Sequence, residues 1–327
     1  MKINKIGIAL LIVLVGSFAL VESFVPTQSK IPRAINAIGT LCSNHRSRRS
    51  HHHLHGQISS LNQSGYDVDK NVRNEIKIAL RKIGKDYGVK VLYACESGSR
   101  AWGFPSADSD YDVRFLYVHP VDWYLSIDPN QRDVIEVPIS DELDISGWDL
   151  RNALGLFRKS NPALLEWLGS PIVYVEEYTT AERMRDLASE TYSPTSCQHH
   201  YFSMAKSNFR GCLEGDRVRT KKYFYVLRAL LAVIWLEQDL GVVPTEFLTL
   251  VEATLSDGAL KTAIDKLIDD KRSGVEMDDG PVIPVIHQFI TDELSRLGGG
   301  CFKKKFQKAE VDNLNLLFKE TLEEVEC

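Results

Sequence analysis

Two aspartates stand one residue apart at the head of an apolar run, Ser109-Asp110-Tyr111-Asp112 followed by Val113-Arg114-Phe115-Leu116-Tyr117-Val118. The run reads as a strand over 112–118, and in a strand side chains two apart share a face. Both carboxylates therefore point the same way, where they repel each other unless a cation lies between them. Hard oxygen ligands with room for water suit Mg²⁺. Taken alone, the pair also fits a polar turn leading into a strand, since Asp and Ser are frequent in turns.

Just upstream, residues 90–94 (Lys-Val-Leu-Tyr-Ala) read as a buried strand, broken by Gly98-Ser99. Glycine lets the backbone come close to a ligand, and free N–H groups where a short helix begins favour phosphate. The bland alternative is a strand-to-helix turn.

Around this segment the pattern is mixed. Val72, Ile76, Leu80 and Ile83 recur at helical spacing, closed by Gly88. Residues 132–139 and 142–145 are strand candidates. Asp149 caps a helix through Leu150, Leu154 and Phe157, and Asn161-Pro162 opens another. From about Ala181 the chain reads as helices over 196–215, 217–240, 244–254, 257–270, 283–298 and 308–323. Leu227, Leu230, Leu231, Ile234 and Trp235 form a strongly apolar face. The fold class expected is α+β: a mixed sheet with helices in a catalytic domain, 67–180, then an all-helical substrate-binding domain, 181–327.

The bulk composition is that of a globular protein, with 44% hydrophobic and 25% charged residues in 327. A net charge of -5 argues against a protein that coats nucleic acid non-specifically, yet leaves room for a local basic cleft. None of the six cysteines sits in a C-x-x-C pair, so they read as reduced thiols and not as a zinc site.

Lys2 and Lys5 precede an apolar run over 6–21, with Val21 and Ser23 at the −3 and −1 positions of a cleavage before Phe24. Residues 1–23 thus read as a signal peptide, too short an apolar run for a spanning helix of roughly 20 residues. Between Glu22 and Asp67 there is no acidic residue, while Lys30, Arg33, Arg46, Arg48, Arg49 and the run His51-His52-His53 are present. Residues 24–66 read as a disordered, transit-like segment. The two together resemble the bipartite plastid presequences of algae with secondary plastids. The expected destination is a plastid, with the secretory pathway as the alternative, and without stable membrane association once the signal is removed.

A strand, Gly-Ser, a short Gly-containing helix and Asp-x-Asp on the next strand occur together here as Gly98-Ser99-Arg100-Ala101-Trp102-Gly103 and Ser109-Asp110-Tyr111-Asp112-Val113. This combination resembles the nucleotidyltransferase superfamily of the DNA polymerase β type. A closer resemblance, over roughly residues 90 to 240, is to bacterial and phage nucleotidyltransferases that include the RNA-ligase-associated group. It runs through residues 143–150 (Leu-Asp-Ile-Ser-Gly-Trp-Asp-Leu), Ser160-Asn161-Pro162, Glu166-Trp167-Leu168 and residues 170–174.

The resemblance implies that Gly98 and Ser99, with Arg100, contact a nucleoside triphosphate and that Asp110 and Asp112 bind two metal ions, Mg²⁺ or Mn²⁺. A third carboxylate is needed on a later strand. Asp144 is the choice, flanked by Leu143 and Ile145 and followed by Ser146-Gly147, with Glu136, Glu142 and Asp149 as competitors; Asp149 reads better as a helix cap. Lys221, Lys222, Tyr223 and Arg228 are expected to face the nucleotide, the alternative being a solvated helix face. Arg210, Arg217 and Arg219 extend a basic track for an RNA acceptor, against which stand Glu214 and Asp216. Trp148, Trp167 and Trp235 read as core.

The activity implied is transfer of a nucleoside monophosphate from a nucleoside triphosphate to an acceptor hydroxyl, such as an RNA end, by a two-metal mechanism. Two other readings stay open: nucleotidylation of a protein, and a catalytically inactive nucleotide or RNA sensor.

Overall fold

The computed structural model describes residues 66–127, 132–139, 142–275, 277, 279–299 and 311–326, which fall in one compact unit, 52–327. The signal and transit-like segments, with the His51–His53 run, lie outside the described residues save for Tyr66.

Helix α1, Lys70–Tyr87, forms because Ile76, Leu80 and Ile83 repeat at helical spacing and are all buried. The Asp69 side chain caps it by accepting from the Asn71 N–H at 2.8 Å, and Gly88 ends it in a left-handed turn. Strand β1, Lys90–Glu96, leads into a short helix α2, Gly98–Ala101, and then β2, Tyr111–Val118. After α3, Val121–Tyr124, come β3, Val134–Glu136, and β4, Leu143–Asp149. Helices α4, Leu150–Arg158, and α5, Pro162–Leu168, precede β5, Val173–Glu176.

The five strands form one mixed sheet in the order β3-β4-β2-β1-β5. β1 is antiparallel to both β2 and β5, and β2 is parallel to β4. Strand β5 and helix α6, Thr180–Thr191, were not expected from the sequence; β5 is only four residues long and sits at the sheet edge. Conversely, the 132–139 segment narrows to three strand residues, whereas the 142–145 segment extends to Asp149.

The helical half continues with α7, Pro194–Cys212, a two-residue strand β6, Arg217–Val218, and α8, Lys222–Glu237. Helices α9, Phe247–Thr254, and α10, Ala259–Arg272, follow. Strand β7, Gly280–Pro281, pairs with β6 before α11, Pro284–Gly298, and α12, Val311–Glu326. The segment expected as one helix over 217–240 thus begins as a strand and turns helical only at Lys222.

The two faces of the sheet are covered differently. Val113, Phe115, Tyr117 and Ile145 pack with α1. On the other face Leu116 and Val118 join a continuous core with Leu154, Leu164, Leu227, Leu231, Phe247 and Ile290. Alternation along β2 puts Asp112 and Arg114 on this second face. The end of the sheet that carries charge therefore opens toward the helical half. Helix α8 is its central element: Val226 through Val233 are all buried, which explains an apolar surface all round in place of a single stripe.

Candidate active site

The parallel register of β2 and β4 sets Asp112 directly opposite Asp144. Their side chains emerge on one face, and Arg114 bridges them. Its Nη2 donates to Asp112 Oδ1 at 3.2 Å and to Asp144 Oδ2 at 2.8 Å, and its Nη1 donates to the Asp144 carbonyl at 2.9 Å. Asp110 stands exposed one residue ahead of β2. Burial raises the pKa of Asp112, and Asp144 and Asp110 add to the rise while Arg114 opposes it. Glu142 is exposed, and Asp149 is spent on capping α4 and accepting from the Tyr124 hydroxyl.

Gly98 lies against this cluster. Its φ is +61°, and a Cβ on residue 98 would sit 2.1 Å from Asp112 Oδ2. Only glycine permits both the left-handed backbone and the approach. Behind Asp112 is Glu96, the last residue of β1 and fully buried. It accepts from the Asp112 N–H at 2.8 Å and from the Tyr174 hydroxyl. Burial pushes its carboxyl pKa up to about 7.

Between Gly98 and Asp110 the chain makes a hydroxyl-rich loop. Ser99 Oγ lies 3.3 Å from Ser109 Oγ, and Ser109 Oγ lies 3.0 Å from Ser106 Oγ. Arg100 braces the loop from below. It donates to the Ser109 and Asp110 carbonyls at 2.6 and 3.2 Å and lies 3.8 Å over the Tyr111 ring.

The helical half adds a second wall. Lys221 is exposed at the head of α8 and is close enough to influence Asp112. Tyr225, 37% exposed, meets Trp102 edge-on at 5.3 Å, with Lys222 Nζ 4.4 Å from its ring centre. Burial, then Asp112 and Asp110, raises the Tyr225 hydroxyl pKa. From α10, Lys271 Nζ donates to Ser106 Oγ at 3.1 Å and Arg272 donates to the Gly103 carbonyl at 2.8 Å.

Two residues expected at the nucleotide turn inward instead. Tyr223 is fully buried, its hydroxyl accepting from the Ile283 N–H at 3.2 Å. Arg228 is 2% exposed, paired with Glu166 at 3.2 Å and donating to the Pro244 and Thr245 carbonyls. Both lie on the core side of a helix that the sheet and other helices surround. Arg217 of the expected basic track pairs with Asp279. Trp148 and Trp167 stack on each other at 3.9 Å as core. Sequence reasoning missed Glu96, Arg114, Tyr225 and Lys271. Period two from Asp112 would have found Arg114, and its position two residues before Gly98 would have flagged Glu96.

Residues 72–320 match the model of the RNA repair pathway DNA polymerase beta family. The chain belongs to that family. Membership makes it a nucleotidyltransferase of the DNA polymerase β type at the level of class. Membership implies a nucleotide substrate. The protein YcgL of Bacillus subtilis (strain 168) is 50% identical over 247 residues, which are 75% of this chain and 95% of YcgL. This bacterial relative corrects the expectation of a plastid presequence and of a plastid destination. Among the described residues no helix is long and apolar enough to cross a membrane. A nucleotidyltransferase-like protein from Exiguobacterium sibiricum 255-15 is a further similar structure, at 12% identity, covering 69% of this chain and 78% of that one, with a TM-score of 0.26.

Proposed function

We propose that this protein transfers a nucleoside monophosphate from a nucleoside triphosphate to a hydroxyl at an RNA end. The observation that carries the reading is the contact of Gly98 with Asp112, itself opposite Asp144, which joins a close backbone approach to a carboxylate cluster. The name of the family favours RNA as the acceptor.

The donor set fits a divalent metal. Asp110, Asp112 and Asp144 offer only hard oxygens, and the single guanidinium of Arg114 does not neutralise three carboxylates. Among the described residues no three metal-binding side chains already converge as a finished cage; Arg114 bridges two of them. Held by these carboxylates, Mg²⁺ or Mn²⁺ would lower the pKa of the acceptor hydroxyl and neutralise charge on the leaving pyrophosphate.

The chain's own residues do the rest. Gly98 and Ser99 receive the phosphates where the backbone is bare. Arg100 fixes the loop through its carbonyls. The exposed Tyr225 ring stacks on the base, with Trp102 behind it. The acceptor oxygen bonds to the α-phosphorus as the bond to the β-phosphate oxygen breaks and pyrophosphate departs. The hydroxyl proton passes to Asp144 Oδ1, the oxygen not held by Arg114.

The acceptor is tested with RNA oligonucleotides whose terminal hydroxyls are free or blocked by phosphate, each incubated with α-labelled nucleoside triphosphates. Label confined to RNA with a free hydroxyl supports the reading. Label on the protein alone, or on blocked RNA equally, rejects it.

A further inference from the structure

The ladder between β1 and β2 stops at the pair Glu96 and Val113, one residue short of Asp112. Past that point β1 turns away into the left-handed Gly98. Both backbone groups of Asp112 are nevertheless held from the β1 side. The Ser97 N–H donates to the Asp112 carbonyl at 2.8 Å, and the Asp112 N–H donates to Glu96 Oε1 at 2.8 Å. A side-chain carboxylate thus accepts where the strand carbonyls have run out.

Glu96 is itself tied down on every side. Its Oε2 accepts from the Tyr174 hydroxyl of β5. Its N–H donates to the Ile172 carbonyl at 2.9 Å, and the Ser170 hydroxyl donates to its carbonyl at 2.6 Å. Tyr174 is buried in turn, with the Arg73 guanidinium of α1 5.1 Å from its ring centre. A fully buried carboxylate bonded to two neutral donors is a costly way to fill a core. What it fixes is a distance. Glu96 lies two residues before Gly98, and its side chain holds Asp112, so one residue sets both sides of the close Gly98–Asp112 contact.

We infer that Glu96, backed by Tyr174, is a positioning residue that sets the Asp112 carboxylate against Gly98 and opposite Asp144, and so governs how tightly the carboxylates hold a divalent ion. This rests on the nucleotidyl-transfer reading of the same site. Both oxygens of Glu96 are already engaged, so it acts through Asp112 and holds no metal itself. The short edge strand β5 gains a role by the same route, because it carries the hydroxyl that orients Glu96.

The test measures the Mn²⁺ affinity of the full chain by electron paramagnetic resonance, without nucleotide, at a temperature where every variant is folded. Glu96→Met roughly keeps the volume and removes both bonds. It weakens Mn²⁺ binding by about 10- to 100-fold, the scale for groups that orient metal-holding side chains. Glu96→Gln still offers an acceptor to the Asp112 N–H and an N–H to the Tyr174 oxygen, and it keeps most of the wild-type affinity. Tyr174→Phe frees Glu96 Oε2 alone and loses affinity by a smaller factor than Glu96→Met. Thr321→Ala, which breaks the buried hydroxyl pair of Thr180 and Thr321 between α6 and α12, lowers stability and leaves Mn²⁺ affinity unchanged. Wild-type affinity in Glu96→Met overturns the inference. So does a loss in Glu96→Gln equal to that in Glu96→Met, the mark of a charge effect, or an equal loss in Thr321→Ala, the mark of general loosening. These three outcomes leave nucleotidyl transfer standing. Wild-type protein that binds no Mn²⁺ overturns the transfer reading along with the inference.

Discussion

Gly98 and Asp112 are packed so closely that a Cβ on residue 98 would stand 2.1 Å from Asp112 Oδ2, with the Gly98 backbone at φ +61°. A methyl group there must displace the carboxylate or the loop. Gly98→Ala is expected to cost about 100-fold or more in transfer, the scale of a displacement of about an ångström at a reacting centre. Its stability cost is only about 1–2 kcal/mol for the left-handed backbone. Gly155→Ala, in α4 where a Cβ meets nothing within 4 Å, is the control and keeps activity. Steady-state transfer and thermal melts on both variants check this.

Arg114 holds Asp112 and Asp144 together, so a divalent ion should stabilise the protein by easing the same repulsion. Adding Mn²⁺ or Mg²⁺ is expected to raise the melting temperature, by about 2.7 kcal/mol of stabilisation at a hundred times the Kd. Asp112→Asn loses most of this shift. Arg114→Met melts lower without metal and shows the larger metal-induced rise. A thermal-shift series with chelator as the baseline reads both.

Tyr225 and Tyr223 separate the two faces of α8. Tyr225→Ala weakens nucleoside triphosphate binding without changing inorganic tripolyphosphate binding, and leaves stability nearly as it was. Tyr223→Ala empties a fully buried site and costs about 3–5 kcal/mol in a denaturant melt.

Arg228 is structural. Arg228→Met leaves the half-buried Glu166 without its cationic partner and destabilises by about 3 kcal/mol. Adding Glu166→Gln recovers part of the loss. Nucleotide affinity per folded molecule does not change, which equilibrium unfolding and calorimetry on the same samples establish.

Lys271 carries a sign that can be worked out. Its folded pKa lies below the ordinary value, chiefly through burial and then Lys221. The unfolded chain therefore holds the proton more tightly, and at neutral pH, below both values, the charge opposes folding. That cost fades only as pH rises through the folded value toward the unfolded one. Lys271→Met is expected to melt higher than wild type at pH 7, with the gap narrowing at alkaline pH, as thermal melts across pH check.

Local pattern reveals one part of this molecule well. The caps at Asp149 and Asn161 mark real helix starts, and the apolar character of α8 announces its central place. What stayed hidden depends on contacts distant in the chain. Lys271 meets Ser106 across 165 residues, and nothing in Lys-Leu-Ile-Asp-Asp-Lys-Arg distinguishes it from a solvated helix end. Helical spacing put Tyr223 and Arg228 on one helix with Lys221 but could not say which side faces the sheet. The short edge strand β5 gave too few residues for a periodic signal, and yet it supplies Tyr174 to the buried Glu96.

The most direct test is label transfer from α-labelled nucleoside triphosphates by the full chain, with Mg²⁺ or Mn²⁺ and small RNAs, beside Asp112→Asn. The account predicts pyrophosphate release and labelled RNA in the wild type, both abolished by chelator and by Asp112→Asn, with the variant still folded. Transfer that persists in Asp112→Asn, or a wild type that binds nucleotide and never releases pyrophosphate, contradicts it.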